Sequence, residues 1–455
     1  MNWIKKHLYF LPVIFFLPLL GNFFSGDDWF HLRISQITTM GEFFNFFSFS
    51  ANAHTASFYR PLSTQVFFFI FQKLFSLTVW PYYLFGLLFF GYSLYLVYKF
   101  SGSKMVAFIY GISVSNFTRL YFLSAFQELF LVVFSLLTLV NFKKRPYLSL
   151  LFFVLALLSK ETAIVLPLLI LIFNHKDLKK NTVYLTSITC VSAIYLYFRL
   201  FHFGLATGDS YLWNFSPVKV INTLMWYILW SIGAPELLLD YVGSGLKLVP
   251  KLFIDYPVWW RFIIYPLVGA VISLLVLSFK KLKQIDLNIV KYILFFLVTI
   301  APVIFLPSHK FALELGLPLV GFSMAVVWLI PQKLSILSYC FFVFYISLNL
   351  SMNYLTYTRH YSVSRGEISK RVYNYFQTSF PKYPIGKHFF FVNDAKDYGN
   401  IWGQSRQISQ AVSGSDIFKV IYNNSEARAL YEDIDGKEKQ NGDTISISTA
   451  QFLNQ

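Results

Sequence analysis

The stretch WWRFIIYPLVGAVISLLVLSF, from Trp259 to Phe279, has one charge, Arg261, near its start and is otherwise apolar or aromatic apart from Ser273 and Ser278. A helix needs roughly 20 such residues to cross about 30 Å of hydrocarbon, so this stretch predicts a membrane span rather than a core helix of a globular domain. LYFLPVIFFLPLLGNFF, from Leu8 to Phe24, reads the same way. Over the 455-residue chain, 56% of residues are hydrophobic, 20% aromatic and only 13% charged, a balance that requires a membrane as solvent.

A formal net charge of +16 raises nucleic acid as a partner. The basic residues, however, stand in short clusters at the ends of apolar runs rather than on one soluble face, which excludes that class and points to membrane orientation. The clusters are Lys5/Lys6, Lys99/Lys104, Lys143/Lys144/Arg145, Lys176/Lys179/Lys180, Lys280/Lys281/Lys283 and Lys333. Placing all of them in the cytoplasm leaves Ser25 to about Trp80, the turns near Arg119 and Lys160, Gly204 to Pro257, Pro307 to Lys310 and everything after Ser351 outside. Parity then makes Leu62 to Leu77 and Val220 to Leu239 re-entrant or interfacial helices and predicts about eleven full spans. The first run lacks a small-x-small cleavage site and reads as a retained span. Cys190 and Cys340 lie far apart inside apolar runs and outline no disulfide framework.

The expected fold is therefore an all-α polytopic membrane protein with a small α/β domain at its C-terminus. The membrane domain covers 1–350, with a first outer loop over 25–80. A soluble extracytoplasmic domain covers 351–455, where charges, Gly, Asn and Ser become common and His388-Phe389-Phe390-Phe391-Val392 reads as a buried strand. The N-terminus is expected in the cytoplasm of this multi-pass cell-membrane protein.

Several polar groups interrupt the apolar pattern. Gly26-Asp27-Asp28-Trp29 follows the first run, and adjacent carboxylates at a membrane surface can act as a general base or hold a divalent cation; the alternative is a helix cap with a solvated acid. Arg60, in Tyr59-Arg60-Pro61-Leu62, can pair bidentately with a phosphate or simply snorkel at the interface. Tyr147 to Phe173 is split by Ser159-Lys160-Glu161 into halves of roughly 18 Å, too short to span. Lys160 there can meet an anionic ligand with Glu161 orienting it, or the two can form a structural ion pair. Arg119 with Gln127/Glu128, and His309/Lys310/Glu314, sit at other outer ends as ligands or interfacial anchors. With the basic clusters inside, all of these fall on one side, which predicts one outward cavity.

This pattern resembles the C-type-fold membrane glycosyltransferases, the superfamily of protein O-mannosyltransferases, lipid A aminoarabinose transferases and oligosaccharyltransferase catalytic subunits. The resemblance covers roughly the first 330 residues. It rests on the order of Asp27-Asp28 after the first span, Arg60-Pro61-Leu62 closing the first loop, Ser159-Lys160-Glu161 between two apolar halves, and His309-Lys310-Phe311 before Leu317-Pro318. The O-mannosyltransferase-like branch is the most similar. The chain departs from relatives in carrying Asp-Asp rather than Asp-Glu, and Gln127-Glu128 where some have Asp, which leaves metal dependence and acceptor type open.

The resemblance implies transfer of a sugar, with inversion, from a polyprenyl-phosphate donor to a hydroxyl of a lipid, glycan or protein acceptor of the cell envelope. It implies Asp27 and Asp28 as the catalytic pair, Asp27 being the base. It also implies Arg60 and Lys160 on the phosphate, Glu161 orienting Lys160, and Arg119, Glu128, His309 and Lys310 as further substrate-binding residues. The resemblance fixes no cofactor, and a divalent cation is compatible. A transporter or flippase of lipid-linked sugars also puts ionisable residues in a membrane cavity, but it predicts inverted halves that the sequence lacks. A surface polysaccharide polymerase shares the large outer loops.

Overall fold

The computed structural model describes residues 7–56, 58–174, 182–204, 208, 211–243, 247–331, 333–394, 403–440 and 443–453. The Lys5/Lys6 and Lys176/Lys179/Lys180 clusters lie outside the described residues. The apolar runs fold as α1 (Leu8–Gly21), α3 (Leu62–Phe75), α4 (Trp80–Ser101), α6 (Leu123–Asn141), α7 (Pro146–Leu157), α8 (Glu161–Asn174), α9 (Thr182–Phe203), α11 (Trp259–Gln284), α12 (Leu287–Ile304) and α13 (Pro318–Leu329). Between them stand α2 (Asp27–Ile34), α5 (Lys104–Ile112) and α10 (Pro217–Ile232). After them come α14 (Ile336–Arg359) and α15 (Tyr361–Ser379). Six helical segments are long and apolar enough to cross a bilayer: α4, α6, α9, α11, α12 and the α14–α15 stretch; α1, α3, α7, α8 and α13 are shorter apolar helices. The chain is thus a helical membrane protein.

Burial separates inner from outer helices. The apolar window of α6 is 78% buried while that of α11 is 33% buried, so α6 runs through the protein and α11 along its rim. Ile272, Leu275 and Phe279 on α11 are exposed, as side chains that meet lipid are. α11 packs on α14 through Gly269, where a Cβ would lie 2.6 Å from the Phe344 ring, the close approach that small residues permit in membrane bundles.

The break at Ser159-Lys160 leaves backbone groups without helical partners, and the start of α3 supplies them. The Leu62 amide donates to the Leu158 carbonyl at 3.1 Å and the Ser63 hydroxyl to the Ser159 carbonyl at 2.8 Å. Irregular backbone at this depth persists because the protein satisfies it.

The change in composition near Asn353 falls inside α14, which continues through Ser351 to Arg359. His360 adopts an extended backbone and caps α15, its Nδ1 accepting from the Ser362 amide. A three-stranded parallel sheet comes next, with β1 (His388–Val392) between β2 (Ala429–Tyr431) and β3 (Thr444–Ser448). Its central strand is buried on both faces, which is why Phe389, Phe390 and Phe391 run without polar alternation. Phe376 of α15 packs its ring 4.6 Å from Phe389 and 4.9 Å from Phe418 of α17 (Asp416–Tyr422), tying the sheet to the helices. With α16 (Gln404–Val412), α17 brings this C-terminal module onto α2.

Candidate active site

Asp27 and Asp28 open α2, and one helical step of about 100° turns them to different surroundings. Asp28 is wholly buried: one carboxylate oxygen accepts the Ser25 amide at 2.9 Å, the other accepts the Ser124 amide at 2.7 Å and hydroxyl at 2.6 Å. Burial pushes its carboxyl up to about 7 against the pull of those donors. Asp27 is exposed to a cavity and accepts no hydrogen bond among the described residues. Desolvation raises its carboxyl, with the Arg365 charge opposing and Asp416 adding. The start of α2 is held by Gly26, whose positive φ of 50° suits glycine and whose amide donates to the Ala411 carbonyl of α16 at 2.7 Å. Arg33 Nε donates to Asp416 at 2.6 Å at the other end of the helix. The C-terminal module therefore grips both ends of the helix that carries Asp27.

The ion pairs differ from the sequence expectation. Glu161 does not orient Lys160: it takes a bidentate pair from Arg60, with Nε to Oε2 at 2.7 Å, while Gln127 accepts from the same guanidinium at 2.5 Å. Lys160 instead pairs with Glu128 and donates to Glu314 at 2.6 Å. The reason is local. Lys160 has extended torsions, φ −161° and ψ 137°, and an extended backbone sends successive side chains to opposite sides.

Arg119 and Glu128 stand behind the cavity wall rather than in it, a correction to their expected contact with substrate. Arg119 is fully buried, donating from Nε to Asn116 at 3.0 Å, and a Cβ on Gly316 would come within 2.8 Å of both its Nη1 and a Glu128 oxygen. Glycine at 316 makes room for this inner layer of charge, which supports Lys160. Lys310 faces a smaller neighbouring hollow of about 260 Å³ that also holds Lys219.

Asp27, His31, Arg60, Lys160, Glu161, His309 and Glu314 all border one cavity of about 500 Å³. Two π-helical turns flank it, Leu62–Val66 at the start of α3 and Arg199–Phe203 at the end of α9. Such turns recur at functional sites. Comparison with protein-family models, with curated proteins and with solved structures finds no match.

The cavity also contains groups that no sequence motif marks: Phe58, Tyr195, Arg199, Tyr211, Trp213 and Tyr361. Arg199 had a legible signal, being a charge close to the end of an apolar run, with Tyr195 four residues before it on the same face. The aromatic residues had none, since a fifth of the chain is aromatic. Leu196 and Leu200, next to Tyr195 and Arg199, both line the cavity and are exposed, on a helix whose apolar window is only 22% buried, so the cavity opens beside that helix. Among the described residues no three His, Cys, Asp or Glu side chains gather as metal ligands.

Proposed function

We propose that this chain is a membrane glycosyltransferase of the C-type fold. It moves a sugar from a polyprenyl-phosphate donor to an acceptor hydroxyl at the outer membrane face, with inversion. The observation that carries this reading is the composition of one cavity. It has a carboxylate free of hydrogen bonds from the described residues at one side, Asp27, cations at another, and apolar side chains where it opens beside α9.

In this mechanism Asp27 accepts the proton of the acceptor hydroxyl as its oxygen attacks the anomeric carbon. The carbon–oxygen bond to the carrier phosphate breaks, and the phosphate leaves with the bonding electrons toward the side of the cavity where Arg60 and Lys160 stand with their carboxylate partners. Attack opposite the leaving group inverts the anomeric centre. Asp28 fixes the start of α2 through Ser25 and Ser124 and so aims Asp27. The topology that goes with this role has about eleven spans, a cytoplasmic N-terminus and the sheet-bearing module outside.

The test is mass spectrometry of glycolipids and glycoproteins from cells with and without the gene, joined to transfer from a labelled polyprenyl-phosphate sugar by the purified full-length chain. Identical glycan profiles and no transfer from any such donor reject the reading.

A further inference from the structure

Three cations approach the cavity, and their partners differ. Arg60 is neutralised by Glu161 and Lys160 by Glu128 and Glu314. Arg199 is 8% exposed, makes no salt bridge or hydrogen bond to a described residue, and leaves Nη1 buried without a partner. Its guanidinium carbon lies 5.8 Å from the centre of the Phe58 ring, and that of Arg60 lies 4.2 Å from the same ring. Ring contact offsets only part of the cost of burying a cation, and a buried charge without a counter-ion is among the least favourable arrangements in a protein.

The neighbouring polar atoms are in the same condition. Tyr195, Thr162 and His309 line the cavity, and their Oη, Oγ1 and Nδ1 atoms are buried without a hydrogen-bond partner among the described residues. Hydroxyl donors and an unpaired guanidinium together suit a tetrahedral oxyanion, and the planar arginine fork matches two of its oxygens at once. Leu196 and Leu200 line the cavity and are 40% and 49% exposed on a helix whose apolar window is only 22% buried, so the site opens beside α9. A ligand with an anionic head and an apolar tail enters there without burying either part against the wrong surface.

We propose that Arg199, together with Tyr195, binds a phosphate group in this cavity, and that the phosphate arrives on a lipid passing beside α9. This moves the direct phosphate contact from Arg60 and Lys160, which are engaged within the protein, to a residue outside the acidic pair, the Arg-Pro-Leu element and the Ser-Lys-Glu turn. The proposal rests on the transferase reading for the phosphate's role as leaving group; the binding itself rests on the cavity.

The experiment is equilibrium binding to the detergent-solubilised full-length protein of three probes: a polyprenyl phosphate, the matching polyprenol and inorganic phosphate. The wild type is expected to bind the lipid phosphate well above the polyprenol, with inorganic phosphate competing weakly. Arg199→Gln should weaken lipid-phosphate binding by roughly tenfold or more, and Tyr195→Phe by less. Arg199→Lys keeps charge without the fork and should fall between; it also serves if the Gln variant does not fold. Wild-type affinity in both Arg199 variants, or no phosphate binding by the wild type, overturns the proposal. Inorganic phosphate binding as tightly as the lipid, and lost in both variants, keeps the anion site but overturns its lipid source. Lipid-phosphate binding through Arg199 without sugar transfer rejects the transferase reading alone, whereas undiminished transfer by Arg199→Gln rejects only the role of Arg199.

Discussion

Lys160 donates from Nζ to Glu314 Oε2 at 2.6 Å, joining the turn between two half-helices to a residue 154 positions later in the chain. Glu128 of α6 completes the cluster, and the lysine is 2% exposed. Arg119 stands beyond Glu128 at Gly316. This buried layer of alternating charge forms the floor under the cavity.

Removing Lys160 leaves two carboxylates facing each other without their cation. Lys160→Ala is expected to destabilise the fold by about 3–5 kcal/mol, seen as a lower Tm in detergent and a loss of monodisperse protein. Adding Glu128→Gln to that variant should recover part of the loss. A Tm for Lys160→Ala equal to wild type contradicts the structural role of the cluster.

The two carboxylates of α2 should separate by assay. Asp27→Asn is expected to abolish sugar transfer while protein level, Tm and donor binding stay near wild type, since the side chain is exposed to the cavity and accepts no hydrogen bond among the described residues. Asp28→Asn turns an acceptor into a donor against either the Ser25 amide or the Ser124 groups and should lower stability by about 1–3 kcal/mol. Full transfer activity in both single variants and in the double variant removes the mechanism.

The pH profile should report Asp27. A base must be ionised, and desolvation at the cavity wall holds this carboxyl above its ordinary value while Arg365 opposes the rise. The acid limb of kcat/KM is therefore expected above roughly pH 3.9, the value of a free aspartate. Arg365→Gln removes a positive charge, disfavours the carboxylate, and should move that limb to higher pH with the plateau retained. A limb that stays put, or moves down, excludes Asp27 as the titrating base.

The proposed topology is open to labelling in intact cells, once the exposed native thiols Cys190 and Cys340 are replaced. Ile385→Cys, at a position 99% exposed beyond α15, should react with an impermeant reagent added outside. Lys144→Cys, also exposed, should react only after permeabilisation. The reverse pattern inverts the protein and puts the cavity on the cytoplasmic side.

The sequence by itself determined the features set by solvent and period. Runs such as Trp259 to Phe279 have no other stable environment than a bilayer, and a lysine and a glutamate in the middle of Tyr147 to Phe173 are too costly in lipid to face anything but the protein interior or a watery cavity. The strand at His388 to Val392 was legible for the same reason, its three phenylalanines having no polar face to offer water.

Partnership was left to the tertiary structure. Neighbours in sequence are not neighbours in space when the backbone between them is extended, so Lys160 and Glu161 part company and find Glu314 and Arg60 instead. Two adjacent aspartates on a helix look alike in sequence until Ser124, 96 residues on, satisfies one and leaves the other to the cavity. Arg199 was visible as a charge in an apolar run, but only packing decided that, unlike Arg60 and Lys160, it makes no salt bridge to a described carboxylate. Charge pairing acts over a few ångströms in a low-dielectric interior, and those distances are set by how helices far apart in the chain come together.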